Sequence, residues 1–554
     1  MVQTAELKTE EQKNVGCGLV TRHIRKGAQG LRFEGLCAIR IGSREKAIDA
    51  GKMLIAPASS EDPETPDNSG IRSRIFPGSG GGGSDGGNGR SFLKGYKLFR
   101  YRIEVDFEDA FVMDIQNKLY LFYEGKKVCD VNYDFFNRRS GKFRNSRLVK
   151  RDGRTMFFRQ TVNNKTWFTV RPQIPYDRPS QMLKLKFAWL LSKAMGASDT
   201  ILMYEKEASR YEESASVLFE KLVEQGYANV KYIIDEGNPA IDRMPSACRD
   251  HLIYKNSFSH LLEFFRSRTF IGTESMDHSL QLRTAEKHVV AKFRSRDITY
   301  VFLQHGVMYM VSLDADVRSV FKPGERVKER IVVSSETEAG HFIDLAGFEP
   351  EQLYVTGLAK FDRSYREKTA DLIMIMPTWR RWEANEALRD FENTGYYRML
   401  MRMVEAVPEE IRDKIVIMPH PLMRQMMNDA KTGLDRYMRP DLSHDEVLRH
   451  TRLLITDYSS IAYDAFYRGC NVVFCWEDKE ACMEQYGHAH LMLNEDNAFG
   501  HVTYTDEERR WAVEKGYALD QPEEYVEKYR NIVTFHDGRN TDRIIEKLRE
   551  DMII

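Results

Sequence analysis

The sequence contains no uninterrupted apolar run of the roughly 18 residues that would cross a bilayer. Its opening stretch, MVQTAELKTEEQKN, carries acids where a secretory signal would carry an apolar core. Both absences predict a cytoplasmic protein, free or held peripherally at the inner face of the cell membrane. The seven cysteines, at 17, 37, 129, 248, 470, 475 and 482, form no CxxC pair and no regular framework, so a disulfide scaffold is excluded and reduced thiols are expected. An excess of one charge is lacking too: 82 Lys plus Arg nearly cancel 83 Asp plus Glu, leaving a net charge of -1 that excludes crude whole-molecule electrostatic binding. No DxD pair and no His/Asp cluster with ligand-like spacing stands where a catalytic metal would be needed. The nearest approach is Glu274, Asp277 and His278, and the expectation is no protein-held metal and no cofactor.

What is present is apolar area for several cores. At 554 residues, with 42% hydrophobic and 11% aromatic side chains, the chain predicts a globular protein of three or four domains. From about 59 to 90 it is dominated by Gly, Ser, Pro and Asp, culminating in PGSGGGGSDGGNGR. Such a segment buries too little apolar area to offset its ordering entropy and is read as a flexible insertion. Around it, residues 31–41, 98–105, 118–123 and 155–162 are rich in β-branched and aromatic residues, and NNK at 163–165 turns the last of these into a strand at 167–170. Residues 1–178 are therefore expected to form a β-rich N-terminal domain.

After Pro179 the pattern becomes short continuous apolar strands alternating with helices. Strands are predicted at 201–204, 230–234, 269–271, 300–303 and 331–333, then at 372–376, 415–418, 452–455 and 472–475. This alternation predicts two parallel, doubly wound α/β domains, over 179–364 and 365–554. Ligands of such sheets bind at the carboxyl ends of the strands.

Four strand ends carry unusual polar residues. Gln304-His305-Gly306 offers a candidate general base beside a glycine that lets a ligand approach the backbone. Pro377-Thr378-Trp379-Arg380-Arg381 offers guanidinium forks suited to phosphate. Met418-Pro419-His420-Pro421 holds an imidazole between two prolines. Thr456-Asp457-Tyr458-Ser459-Ser460 precedes a helix at 461–468 that stops at Gly469, so hydroxyls meet a helix N-terminus. Taken singly, each has an ordinary structural explanation: a loop histidine, a solvated Arg pair, a rigid turn, a helix cap.

Together, QHG, TGLAKFD at 356–362, PTWR, MPHP, TDYSSIAYDAFYRGCNVVF, FGHVTYTDEE and HDGRNTDRIIEKL resemble the CDP-glycerol glycerophosphotransferases that polymerise teichoic acid. The resemblance spans about 180–550 and implies a GT-B fold of two Rossmann-like domains, with the CDP-glycerol donor bound mainly by the second. It implies catalytic roles for His305 and His420, and substrate contacts from Gly306, Thr378, Arg380, Asp457, Ser459 and Ser460. The implied acceptor is a hydroxyl of an anionic cell-surface polymer, teichoic-acid or capsule-like, or of its lipid-linked precursor. A CDP-ribitol or sugar-nucleotide transferase on the same fold, or a binding protein without turnover, are the alternatives.

From Arg138 to Arg159 nine Lys or Arg face one acid, Asp152. This density predicts an anionic partner, a membrane surface or a polyphosphate acceptor, while no motif supports nucleic acid. MLKLKFAWLLSKAM at 182–195 reads as a first core helix with lysines on its margins, or as a membrane-docking helix.

Overall fold

Strand and helix assignments rest on a computed structural model describing residues 16–26, 30–40, 49–57, 65–66, 71–77, 97–106, 116–133, 148–151, 153–160, 166–280, 286–313, 328–378, 380–383, 387, 390–419, 433–439, 441–485 and 491–554. The chain divides into two units, residues 1–184 with 284–291 and residues 185–283 with 292–554.

The first unit is β-rich. Its strands are β1 (Gly16–Lys26), β2 (Gly30–Arg40), β3 (Met53–Ala56), β4 (Ile71–Pro77), β5 (Lys97–Asp106), β6 (Gln116–Lys118), β7 (Tyr120–Tyr123), β8 (Lys126–Tyr133), β9 (Val149–Arg151), β10 (Arg154–Gln160) and β11 (Thr166–Pro172). They make a seven-stranded sheet in the order β3-β7-β8-β1-β2-β5-β4 and a four-stranded sheet in the order β6-β11-β10-β9. Alternate apolar residues of both sheets share one core, where the rings of Phe33 and Phe158 lie 4.2 Å apart. β10 and β11 pair as the expected hairpin. The flexible reading of 59–90 fails for β4, which pairs along β5 from Ile71↔Val105 to Pro77↔Phe99. Its sequence IRSRIFP alternates, burying Ser73 and Ile75, and that period of two outweighs the surrounding Gly and Ser. The Gly tract itself, and Arg138, Arg139, Lys142, Arg144 and Arg147 of the basic run, lie outside the described residues.

Helix α1 (Pro179–Met195) leads into the second unit. There the first sheet is built from β12 (Ser198–Tyr204), followed by α2 (Ser214–Glu224), then β13 (Val230–Ile234), β14 (Leu252–Tyr254), β15 (Ser267–Gly272), β16 (Thr299–Phe302), β17 (Lys328–Val333), α3 (Glu336–His341) and β18 (Leu353–Val355). All strand pairings are parallel, in the order β14-β13-β12-β15-β16-β17-β18. The second sheet comprises β19 (Leu372–Ile375), β20 (Ile415–Ile417), α4 (His444–His450), β21 (Thr451–Thr456), α5 (Ile461–Tyr467), β22 (Asn471–Cys475) and β23 (His501–Thr503). Its order, β20-β19-β21-β22-β23, is also parallel throughout. The fold class is α/β with two doubly wound sheets of the GT-B kind, preceded by the β-rich unit. Chain order reverses between β12 and β15 in one sheet and between β19 and β21 in the other, and such switch points open crevices at the strands' carboxyl ends. Among the described residues, no helix is long and apolar enough to cross a membrane.

The last helices, α6 (Glu523–Ile532) and α7 (Asn540–Glu550), return to the first lobe, although residues 365–554 were expected in the second. Asp362 accepts hydrogen bonds from Asn540 N at 3.0 Å, Thr541 N at 2.7 Å and Thr541 Oγ1 at 2.6 Å, so a carboxylate from TGLAKFD caps α7 from outside. At the other end, Asp551 accepts from Tyr354 Oη at 2.6 Å and pairs with Arg330. Gly357, at φ +79°, has no room for a side chain: a Cβ would stand 2.5 Å from Asn540 Oδ1. Replacing Asp362 by Ala strands three donors and is expected to lower stability by about 1–2 kcal/mol, read as a reduced urea midpoint. Asp362→Asn should recover part of the loss, and a midpoint equal to the parent's in Asp362→Ala would show that the cap contributes nothing.

Candidate active site

Two adjoining cavities of about 740 and 280 Å³ open between the two parallel sheets. Their common wall is made of His305, Thr378, Ser459 and Ser460. Gly306, Lys360 and Asp464 line the larger one, while Met308, Met310 and Leu313 give the smaller one an apolar side.

His305 stands exposed at the carboxyl end of β16, and the loop that carries it is held from many directions. Gln304, buried, adopts φ +58°, a conformation that a non-glycine residue keeps only where its surroundings enforce it. Its Nε2 donates to Val332 O at 2.6 Å. Lys360 Nζ donates to His305 O at 2.9 Å. The buried carboxylate of Glu338 accepts from Met308 N at 2.7 Å and from Ser334 N and Oγ, both at 2.6 Å. From the second lobe, Tyr463 Oη donates to Tyr309 O at 3.1 Å and Met492 N to Met310 O at 3.0 Å.

The facing loops of the second sheet are tied to each other through Asp457. Its Oδ1 accepts from Thr378 N at 2.7 Å, Thr378 Oγ1 at 2.6 Å and Tyr458 N at 2.6 Å. Burial raises the Asp457 carboxyl, and the nearby Arg380 guanidinium opposes the rise. Arg380 itself is buried, donating to Asp478 Oδ2 at 2.6 Å and to Met399 Sδ at 2.9 Å, while Tyr458 Oη donates to Asp478 Oδ1 at 3.0 Å. Ser460 opens α5 without a side-chain cap bond, and Ser459 Oγ accepts only a long 3.5 Å contact from Ile461 N. Both hydroxyls are thereby left for the cavity. Behind them α5 ends as expected, with Gly469 at φ +89°.

Lys360 joins the lobes. Its Nζ pairs with Asp464 Oδ1 at 2.5 Å, with 12% and 10% of the two side chains exposed. On the first-lobe side, Glu205 accepts from Glu212 N at 2.8 Å, Glu213 N at 2.8 Å and Ser216 N at 2.9 Å, so its carboxyl supplies the N-terminal cap of α2. Glu213 lines the larger cavity.

Five of the residues singled out in the sequence, His305, Gly306, Thr378, Ser459 and Ser460, thus meet in one cleft. Arg380 and Asp457 are near it but are buried in the ion-pair and loop-tying networks. His420, like Trp379, lies outside the described residues. Lys360, Asp464 and Glu213 were not singled out; for the first two the available signal was their place inside TGLAKFD and TDYSSIAYDAF. Asp277 accepts from Ser275 Oγ, and His278 Nδ1 from Glu207 N at 3.0 Å.

Several known proteins resemble the chain. The minor teichoic acid biosynthesis protein GgaB of Bacillus subtilis (strain 168) is 22% identical over 479 residues, which cover 80% of this chain and 48% of that one, so the chain spans about half the length of this curated relative. A variant of the wall teichoic acid polymerase TagF soaked with CDPG aligns at 15% identity over 67% of this chain and 93% of its own, with a TM-score of 0.48. The UDP-GlcNAc 2-epimerase of Methanocaldococcus jannaschii aligns at 13% identity over 63% and 99%, with a TM-score of 0.39. The family described as CDP-Glycerol:Poly(glycerophosphate) glycerophosphotransferase matches residues 186–550, well over half of the chain, and to this family the chain belongs.

Proposed function

We propose that the protein transfers glycerol phosphate from CDP-glycerol to a hydroxyl of a cell-surface polymer, teichoic-acid or capsule-like, or of its lipid-linked precursor, releasing CMP. The observation that carries this reading is the shared cavity wall, where one exposed imidazole, His305, faces two uncommitted hydroxyls, Ser459 and Ser460, across the cleft between two doubly wound sheets. In the reaction the acceptor hydroxyl attacks the distal phosphorus in line. His305 takes the hydroxyl proton, a P–O bond forms to the acceptor, the bond to the CMP oxygen breaks, and CMP departs. Ser459 and Ser460 donate to phosphate oxygens whose charge is redistributed along the way. Asp457 and the buried Arg380 keep the two second-lobe loops in register behind them. His420 is retained as a catalytic candidate on the resemblance alone.

Replacing His305 by Ala should lower kcat for CMP release about 100-fold or more while leaving calorimetric affinity for CDP-glycerol near the parent's, because a base acts on the transition state. Ser459→Ala and Ser460→Ala should each weaken donor binding by roughly 5- to 30-fold, the scale of a lost hydrogen bond to a charged group. Unchanged donor affinity in both serine variants would remove them from the phosphate site. Comparing CDP-glycerol, CDP-ribitol and sugar nucleotides as sources of released nucleotide decides the donor, and release from none of them would leave a binding protein.

An acceptor attached to lipid implies contact with a membrane surface, and α1 supports it. Leu185 and Ala188 are buried, whereas Phe187 and Leu190 are each 60% exposed, beside the exposed Lys186 and Lys193; acids are absent from the helix. Apolar side chains between lysines suit an anionic bilayer surface. The double variant Phe187→Ser, Leu190→Ser is expected to co-sediment less with anionic phospholipid vesicles while releasing CMP normally on a short soluble acceptor. Equal sedimentation of variant and parent would make α1 an ordinary surface helix.

A further inference from the structure

Seven lysines and arginines line the larger cavity, and five of them lie within 2.6 Å of a carboxylate oxygen. Lys206 and Arg243 are the other two. Among the described residues neither side chain has an ion pair or a hydrogen bond, and both are exposed. They belong to the first lobe, as His305 does, and the reaction as written gives them no part. Uncommitted cations on a cavity wall are suited to an anion, and an arginine fork beside an ammonium suits phosphate oxygens in particular.

The backbone that carries these two charges separates them from ordinary surface cations. Lys206 stands in the loop that leaves the carboxyl end of β12, beside the switch point of the first sheet. The next two residues, Glu207 and Ala208, adopt φ of 55° and 50°, left-handed conformations that side-chain-bearing residues keep only where they are enforced, and that gather at ligand-binding loops. Here the enforcement is visible on every side. Glu205, buried just before Lys206, accepts from Glu212 N and Glu213 N at 2.8 Å and from Ser216 N at 2.9 Å. Glu207 N donates to His278 Nδ1 at 3.0 Å, and Tyr232 Oη to Arg210 O at 2.8 Å. Asn238 then joins this loop to the short helix Ala240–Arg243: its Nδ2 donates to Ser209 O at 2.7 Å and its Oδ1 accepts from Ala240 N at 2.9 Å. Lys206 and Arg243 are therefore carried by one connected, strained piece of backbone at the cavity wall.

We propose that Lys206 and Arg243 are specificity-determining residues that bind a phosphodiester of the acceptor chain. The donor's phosphates are met by Ser459 and Ser460 of the second lobe, whereas the acceptor hydroxyl has to reach His305, on the lobe that carries the two cations. With an acceptor phosphate held by them, the hydroxyl at the chain's end is left free to enter the cleft. Selectivity follows: a chain that already bears phosphate is preferred to a neutral polyol, so the protein extends such a chain rather than beginning one. This assignment rests on the function proposed above, and no bond is made or broken at either cation.

The test uses the full chain and two acceptors that differ in phosphate, a synthetic glycerol phosphate trimer and uncharged triglycerol. Calorimetry without donor compares the parent with Lys206→Gln, Arg243→Gln, the double variant and Lys206→Arg. Each glutamine variant should bind the trimer about 3- to 10-fold more weakly, the scale of a charge-assisted contact reduced by exposure to solvent. Lys206→Arg keeps the charge and should retain most of the affinity. Binding by the double variant should also respond less to added salt than binding by the parent. Affinity for CDP-glycerol should stay within about twofold, and the ratio of kcat/KM for the trimer over triglycerol should fall about tenfold or more in the double variant. Trimer binding that is absent from the parent, or equal in parent and double variant, overturns the proposal. A loss of CDP-glycerol affinity as large as the loss for the trimer overturns it too, by giving the cations to the donor. Should the parent release no CMP from any CDP donor, the proposed function falls, while the binding comparison still decides whether Lys206 and Arg243 hold a phosphate chain.

Discussion

The cleft depends on one ion pair, Lys360 with Asp464. Lys360 belongs to the turn that leaves the first sheet and Asp464 to α5 of the second, and their 2.5 Å contact is largely withdrawn from solvent. The same ammonium donates to His305 O. A Cβ on Gly306 would lie 3.7 Å from Lys360 Nζ, 3.7 Å from Ser460 Oγ and 3.8 Å from Asp464 Oδ2, so the backbone beside the histidine rests directly on the pair and on one of the serines. Taking two charges out of water costs several kcal/mol, which their attraction roughly offsets. Its consequence is geometric: the histidine-bearing loop of one lobe is tied to the serine-bearing loop of the other.

The segment holding Lys360 serves both lobes at once. Gly357 allows Asn540 to approach, Lys360 faces the cleft, and Asp362 caps α7 with Asn540 and Thr541. TGLAKFD and HDGRNTDRIIEKL, separated by almost the whole second sheet, are thus two sides of one contact. With Tyr463 and Met492 bound to the histidine loop from the second lobe, the cleft is built as a pre-set cavity, the arrangement that the proposed transfer would require of groups fixed in advance around phosphate charge.

Much of this was readable in the sequence, for identifiable reasons. Buried parallel strands are continuous apolar runs, so Val230–Ile234 and Asn471–Cys475 were evident within a residue. The edge strands Leu252–Tyr254, Leu353–Val355 and His501–Thr503 are three residues long, too short for any period to emerge. β4 was hidden because its neighbours' composition dominated the window. In the site, strand ends exposed His305, Thr378, Ser459 and Ser460, since polar residues there are unusual. Arg380 could not be placed from the sequence because a guanidinium fork fits a carboxylate as well as a phosphate, and nothing local reveals that it pairs with Asp478. Lys360 and Asp464 are single charges on separate elements, and only the assembled lobes bring them together.

Hydrogen-bond direction narrows the donors further. Thr378 stands in the cavity wall beside the serines, but its hydroxyl proton points to Asp457 Oδ1 at 2.6 Å. That oxygen accepts two backbone N–H groups as well, which fixes it as the acceptor in all three bonds. With its proton so directed, the Thr378 oxygen turns lone pairs toward the cavity. Ser459 and Ser460 carry no such commitment. A buried carboxylate thus orders the second-lobe wall: Asp457 takes the proton of Thr378 and ties down the loop that carries Ser459 and Ser460, whose side chains line both cavities with His305.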